Sequence, residues 1–297
     1  HAAPVHTPPR SPCRRASAGD ANDARPSKAR RIVHVSDLHF GSPGVSERVG
    51  PLLRALAALE PTIVAVSGDL TRRAAPAEFR EARDFLDRIE APFVVVPGNH
   101  DVPLAPWIRF RRRHARFLSH VIDHLDPFFT DGSVAVAGID TSRSFGIDGG
   151  RARRRALASL ADRFRDVPGH AFRVVVAHHP FTRPPSQRIA VVAQKSRRAL
   201  RAFDDLYVDA VLTGHRHESV IARSAEVVAG AGRHYLLVQA GTATTYRGRR
   251  TEKDMNSFLV LDVAHAHVTC TRHVLHDDGE FRADRREAHP RAARRTG

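Results

Sequence analysis

The residues of this chain that could do chemistry fall in five short clusters, each placed directly after an apolar run. They are Asp37 with His39; Asp69; Asn99 with His100 and Asp101; His178 with His179; and His215 with His217. Carboxylates, imidazoles and an amide oxygen donate to cations, and no thiol is among them. Such a set suits Mn, Fe or Zn and suits Ca poorly. Taken singly, each cluster has a plainer explanation. Asp37 and Asp69 could end turns or cap helices. A lone His178 or His179 could be a hydrogen-bonded core histidine. Three polar side chains after Pro97-Gly98, however, are more than a turn needs. Five independent structural roles would have to coincide in order, whereas one shared metal site explains all five.

The elements that must carry these clusters alternate between strand and helix. Short β-branched runs span 31–35, 62–66, 93–96, 134–139, 172–177 and 208–212, and Gly, Pro, Asp or Ser bounds most of them. Helices are expected between them. Val49, Leu52, Leu53, Leu56 and Leu59 mark one apolar face, and Phe79, Phe85, Leu86 and Ile89 mark another. Further helices are expected near 105–122, 151–165 and 195–205. Strands return at 234–239, 257–262 and 268–274. The pattern is that of an α/β sandwich with a strand-rich C-terminal half. The clusters then lie at the carboxyl ends of strands, where open α/β sheets place their sites. If the strands run on, Asp37 and His39 share a face, as do His215 and His217. Asp69 could bridge two cations with one oxygen to each. His100 is suited to proton transfer, and Asp101 to orienting its imidazole.

Composition narrows the classes. The 297 residues are 42% apolar, enough for a sizeable core. No apolar run approaches the roughly 20 residues of a bilayer span, and no apolar h-region marks a secretory signal. Cys13 and Cys270 form neither a disulfide framework nor a zinc motif, which fits a cytoplasmic protein. The net charge of +15 admits nucleic acid as a partner. Only three of the 47 basic residues are lysine (Lys28, Lys195, Lys253), so a coding preference for arginine explains much of that charge. Residues 1–29 and 283–297 are Pro-, Ala- and Arg-rich and are expected to be disordered, leaving 30–282 as the folded domain. Trp107 and the Phe128-Phe129 pair read as core or lid residues. Arg109, Arg111, Arg112 and Arg113 read as a solvated helix face that could also gather anions.

The five clusters, in this order, resemble the signature of the calcineurin-like metallophosphoesterase superfamily. Ser-Asp-Leu-His-Phe-Gly at 36–41, Ser-Gly-Asp-Leu-Thr at 67–71, Pro-Gly-Asn-His-Asp-Val-Pro at 97–103 and Ala-Gly-Thr-Ala-Thr at 240–244 resemble its cyclic-nucleotide-phosphodiesterase-like (class III) branch. The likeness covers about residues 30–280. It implies a four-layer αββα sandwich of two mixed sheets flanked by helices, with two metal ions. Asp37, His39 and His217 would hold one ion, and Asn99, His178 and His215 the other. Asp69 would bridge them, and His178 is preferred to His179 as the first residue of the His-x-Pro segment. His100 would serve the leaving group, supported by Asp101. Arg216 departs from the uncharged residue of many relatives. The activity implied is hydrolysis of a small phosphodiester by a metal-bridged hydroxide. Alternatives are a phosphomonoesterase or nuclease on the same scaffold, or a nucleic-acid-binding protein with a vestigial site. Oligomeric state is not readable from the sequence.

Overall fold

A computed structural model describes residues 29–143, 149–183, 191–228 and 234–291. The first half of the chain runs β1 (Arg30–Val35), α1 (Val45–Leu59), β2 (Ile63–Val66), α2 (Pro76–Asp87), β3 (Phe93–Val95), α3 (Pro106–Arg111), α4 (Ala115–His120), β4 (Phe128–Thr130) and β5 (Val134–Gly138). The second half runs α5 (Arg154–Phe164), β6 (Phe172–Val176), α6 (Ser196–Asp205), β7 (Ala210–Thr213), β8 (Val220–Arg223), α7 (Ser224–Val227), β9 (Leu236–Gln239), β10 (Ser257–Val263), β11 (His267–Leu275) and β12 (Phe281–Pro290).

Side-chain alternation along the strands sorts the apolar residues into three cores. Ile32, Ala65 and Val94 meet Val136, Val174 and Leu212 between two sheets. On the outer face of the first sheet, Val33 and Val64 pack against Leu52 and Leu56 of α1 and Phe79 and Phe85 of α2. On the outer face of the second, Ala135, Val175 and Val211 pack against Leu157 and Leu160 of α5 and Phe203 of α6. The result is the expected four-layer αββα sandwich. The sheets run β12-β11-β10-β1-β2-β3 and β4-β5-β6-β7-β9-β8. Both are mixed. The strands β1, β2 and β3 are mutually parallel, as are β5, β6, β7 and β9. Parallel strands bring their carboxyl ends to one edge of each sheet, and the five clusters follow five of those ends.

Several expectations change. The helix expected over 105–122 is two short ones, α3 and α4. On α3 Arg109 departs from the expected solvated face, whereas Arg111 and Arg112 are exposed as expected. Trp107 is 71% exposed, whereas Arg109 is 6% exposed, its guanidinium facing the carbonyls of Val102 and Pro103. Six residues carry too little periodicity to define a buried face. Phe128 and Phe129 do join the outer and central cores respectively. The tail expected to be disordered from 283 contributes residues 283–290 to β12, an edge strand paired with β11. The remainder of that tail (292–297) and residues 1–28 lie outside the described residues. Strands β4 and β8 also escaped the sequence reading. No described helix is long and apolar enough to cross a membrane.

Phe79 is fully buried, edge-on to Phe117 across the α2–α4 contact. Phe79→Ala is expected to cost about 3–5 kcal/mol of stability. Urea unfolding should show a lowered midpoint at unchanged slope.

Candidate metal centre

The loops after β1 and β2 keep pairing beyond the strands themselves. The amide of Asp37 donates to the Gly68 carbonyl (3.1 Å), that of His39 to Asp69 (2.9 Å) and that of Phe40 to Leu70 (2.7 Å). Yet the backbone there is not extended. Asp37, His39 and Asp69 have φ of 54°, 47° and 51°, and His215 and His217 have φ of 75° and 55°. The expected strand alternation therefore does not aim these side chains. Left-handed turns do, a conformation uncommon for residues with a side chain and concentrated at functional sites. Two glycines permit the crowding. A Cβ on Gly98 would fall 2.4 Å from the Asp69 nitrogen, and one on Gly214 would fall 2.5 Å from Asp37 Oδ2.

Two groups of donor atoms result. Asp37, His39, Asp69 and His217 bring one ligand atom each to within 4.8 Å of one another. His39 Nε2 and His217 Nε2 are 3.2 Å apart, and Asp37 Oδ1 is 3.1 Å from the latter. Ligands about 2.0–2.2 Å from one ion stand roughly 3–3.5 Å apart, so this spacing fits a cation. In the second group, His178 Nε2 is 3.1 Å from Asn99 Oδ1 and 3.3 Å from Asp69 Oδ2. The His215 ring lies 5.1 Å from that of His178. Asp69 stands between the groups, but not with one oxygen to each. Its Oδ1 accepts the His100 amide at 2.8 Å. Its Oδ2 alone faces both His178 and His39, the latter at 3.8 Å. Asp37 divides its oxygens likewise. Oδ2 accepts from the Ser36 hydroxyl and the His215 amide, while buried Oδ1 has no hydrogen-bond donor.

The rings are held from behind. His178, His217 and His100 donate Nδ1–H to the carbonyls of Ser67 (2.8 Å), Arg247 (3.0 Å) and Arg72 (2.8 Å). A carbonyl only accepts, so this defines the tautomer and leaves Nε2 toward the site. His100 is half-buried at the mouth, edge-on to His39 with centroids 4.8 Å apart.

The expected Asp101–His100 pair does not form. Fully buried Asp101 instead accepts from the amides of Gly98, Leu70 and Thr71 and from the Thr71 hydroxyl. It ties the 97–101 loop to the 68–71 loop, and the Arg72 carbonyl takes the role foreseen for it at His100.

Burial alone would raise the carboxyls of Asp37 and Asp69. The surrounding imidazoles override it: His217 and His39 hold Asp37, and His178 holds Asp69, well below the usual carboxylate range. Burial opposes charge on His178, but Asp69 and Asp37 raise it to about 9. Burial and then the His178 charge lower His215 to about 3. Burial and the Asp69 charge push Asp101 up, against the three amides that donate to it.

Some of the machinery was not foreseen. The 240–244 phrase, noted only as a likeness, cradles the first loop: Thr242 and Thr244 donate to the carbonyls of Asp37 and Leu38, and the Ala243 amide to that of Ser36. His34, a polar residue in an apolar strand, meets the Ser67 hydroxyl at 2.9 Å. His179 puts Nδ1 on the Thr141 hydroxyl at 2.9 Å. Its ring is 4.7 Å from that of His215, and its Nε2 is buried without a hydrogen-bond partner. Arg216 is half-buried, its guanidinium on the Val191 carbonyl.

The fold has relatives among solved structures. A purple acid phosphatase from yellow lupin superposes with a TM-score of 0.65 over 88% of this chain and 54% of its own, at 11% identity. A dimetal phosphatase from Danio rerio gives 0.61 over 88% and 99%, also at 11%. By sequence, a cAMP/cGMP dual specificity phosphodiesterase of Mycobacterium tuberculosis is 27% identical over 64% of this chain. The match spans 63% of that relative's length. A glycerophosphodiester phosphodiesterase of Enterobacter lignolyticus is 24% identical over 63% of this chain and 70% of its own. The family model for calcineurin-like phosphoesterases matches residues 30–219, and the chain belongs to that family.

Proposed function

We propose that this chain is a dinuclear metal-dependent phosphodiesterase acting on small diesters. The observation that carries the proposal is the position of Asp69 Oδ2 between two groups of buried donor atoms. In this reading Asp37, His39 and His217 hold one ion, and Asn99, His178 and His215 hold the other. His178 is favoured over His179 because its Nε2 faces Asp69 and Asn99. The oxygen and nitrogen donors favour Mn, Fe or Zn. Two such ions would supply Lewis acidity and would acidify a water toward neutral pH.

The chain's own residues do the rest. The Nδ1-anchored rings keep Nε2 aimed inward. Asp101 keeps Asp69 and His100 in register by holding their two loops together. His100, fixed through Arg72, presents Nε2 at the mouth, where the ring in its doubly protonated form can give a proton to a departing alkoxide. Both curated relatives are named phosphodiesterases, which supports diesters over monoesters as substrates. Cys270 is buried and forms no disulfide among the described residues. The deciding assay is a Mn-loaded panel of cyclic nucleotides, glycerophosphodiesters, nitrophenyl mono- and diesters and single-stranded DNA. Preference for the monoesters or the DNA would overturn the proposal.

Asp69→Ala is expected to lose metal and turnover together. Two full metal equivalents by elemental analysis of that variant would contradict the bridge. His100→Ala should keep both ions and slow alkyl esters by about 10²–10⁴-fold, with a much smaller loss on nitrophenyl esters. Equal losses on the two would remove it from the leaving-group role. Asp101→Asn places a donor amide against groups that all donate. It should weaken metal affinity by about 10–100-fold, read by competition with a chelator, without altering the leaving-group dependence.

A further inference from the structure

The positive charge of this chain is not spread evenly. A cavity of about 690 Å³ has nine lining residues, of which seven are Arg or Lys and none is acidic. Arg151, Arg153 and Arg154 come from the start of α5, Lys195 and Arg198 from the start of α6, and Arg113 from the α3–α4 turn. An isolated parallel bridge between Arg151 and Gln194 ties the two helix starts together.

A general preference for arginine does not explain this arrangement. Helix N-termini carry unsatisfied amides and a partial positive charge, and they favour Asp or Glu in the first turn. Helices α1 and α2 obey that rule with Glu47 and Glu78. Helices α5 and α6, of 11 and 10 residues, have no acid in the first turn and no side-chain cap. They begin at Arg153 and Lys195 instead. Two helix dipoles and seven cations thus converge on one cavity, at a cost in mutual repulsion. Burial and the charge of Arg153 both lower the proton affinity of Arg113. Within the wall, Asp140 pairs with Arg153 at 2.7 Å, with His114 at 3.1 Å and with Arg113 at 3.7 Å. This aligns the Arg153 side chain but leaves the cavity strongly positive.

Packing links the cavity wall to the metal centre. Gly150, next to Arg151, approaches His179 so closely that a Cβ there would lie 2.4 Å from its Cγ. His179 packs in turn on His178 and His215. The volume is that of a small-ligand site.

We propose that this cavity is a second anion subsite, which binds a phosphate group of the substrate other than the one being hydrolysed. The preferred substrates are then small diesters bearing an additional phosphate. The proposal rests on the phosphodiesterase reading for its link to catalysis, but the subsite can be tested without it. The exposed residues Arg151, Arg154 and Arg198 are replaced together by Ala, which leaves the Arg153–Asp140 pair intact. Chelator-treated protein, with and without these changes, is titrated calorimetrically with inorganic pyrophosphate. The triple variant is expected to bind it at least about tenfold more weakly, as loss of charge-assisted hydrogen bonds requires. Equal binding by the two proteins, or none by the parent, would overturn the subsite.

The Mn-loaded proteins are then compared on p-nitrophenyl thymidine 5′-phosphate and its 3′-phosphorylated counterpart. The parent should show the higher kcat/KM on the doubly phosphorylated ester, and the triple variant should lose that preference. Pyrophosphate binding without the preference would overturn the role in substrate selection. Displacement of pyrophosphate by far lower concentrations of a single-stranded oligonucleotide would also overturn it, in favour of a polymer. No turnover of either ester, with pyrophosphate binding intact, would overturn the phosphodiesterase reading and with it the assignment of the anion to substrate.

Discussion

The carboxylates and imidazoles of the candidate metal centre cannot be gathered around a point by regular secondary structure, and that constraint governs this protein. Strand alternation delivers side chains to one face at intervals of two residues, which spaces them along a line rather than around a point. The chain turns instead, through left-handed backbone at Asp37, His39, Asp69, His215 and His217. At about 1 kcal/mol or more for each residue, the set costs on the order of 5 kcal/mol. That is comparable with the whole stability of many domains. The surroundings must over-determine the geometry, and they do. Asp101 stitches two loops with four hydrogen bonds, Thr242 and Thr244 hold a third loop, and the two mixed sheets beneath contribute three apolar cores.

Asp37 and Asp69 are organised on one plan. Each gives one oxygen to backbone amide donors and keeps the other directed at imidazoles. The hydrogen-bonded oxygen orients the group, and the remaining oxygen keeps its lone pairs. In Asp69 that remaining oxygen faces both donor groups, so a single atom joins the two halves of the site. The same economy appears in the imidazoles, where Nδ1 anchors and Nε2 serves.

The five clusters were legible because they break the local pattern: apolar strands that end in Asp, Asn and His have no packing reason to do so. The sandwich was legible from alternation of β-branched and amphipathic segments. What failed did so for physical reasons. The Asp101–His100 pair was inferred from adjacency, but neighbours in a tight turn point apart, and Asp101 found amide donors on another loop. The face of α3 could not be read from six residues. The strand β12 has a single buried anchor, Phe281, and otherwise exposed or half-buried residues including Arg282, Asp284, Arg285 and Arg286. Charge of that kind reads as a solvated tail, yet it is also what discourages a sheet edge from pairing with other chains. The cavity between α5 and α6 was invisible because its arginines are distant in sequence and look unremarkable in an arginine-rich chain.

The anchoring of His178, His217 and His100 on the carbonyls of Ser67, Arg247 and Arg72 has an evolutionary consequence. Every amino acid brings the same carbonyl oxygen. Mutation can therefore change the side chains at 72 and 247 without altering the tautomer of the rings they anchor. Arg247 is exposed and Arg72 half-exposed at the rim, where a substrate would first be met. The ring orientations of the candidate metal centre are insulated from sequence drift at those two rim positions. A scaffold built this way can diversify its substrates by point mutation while its reaction stays the same.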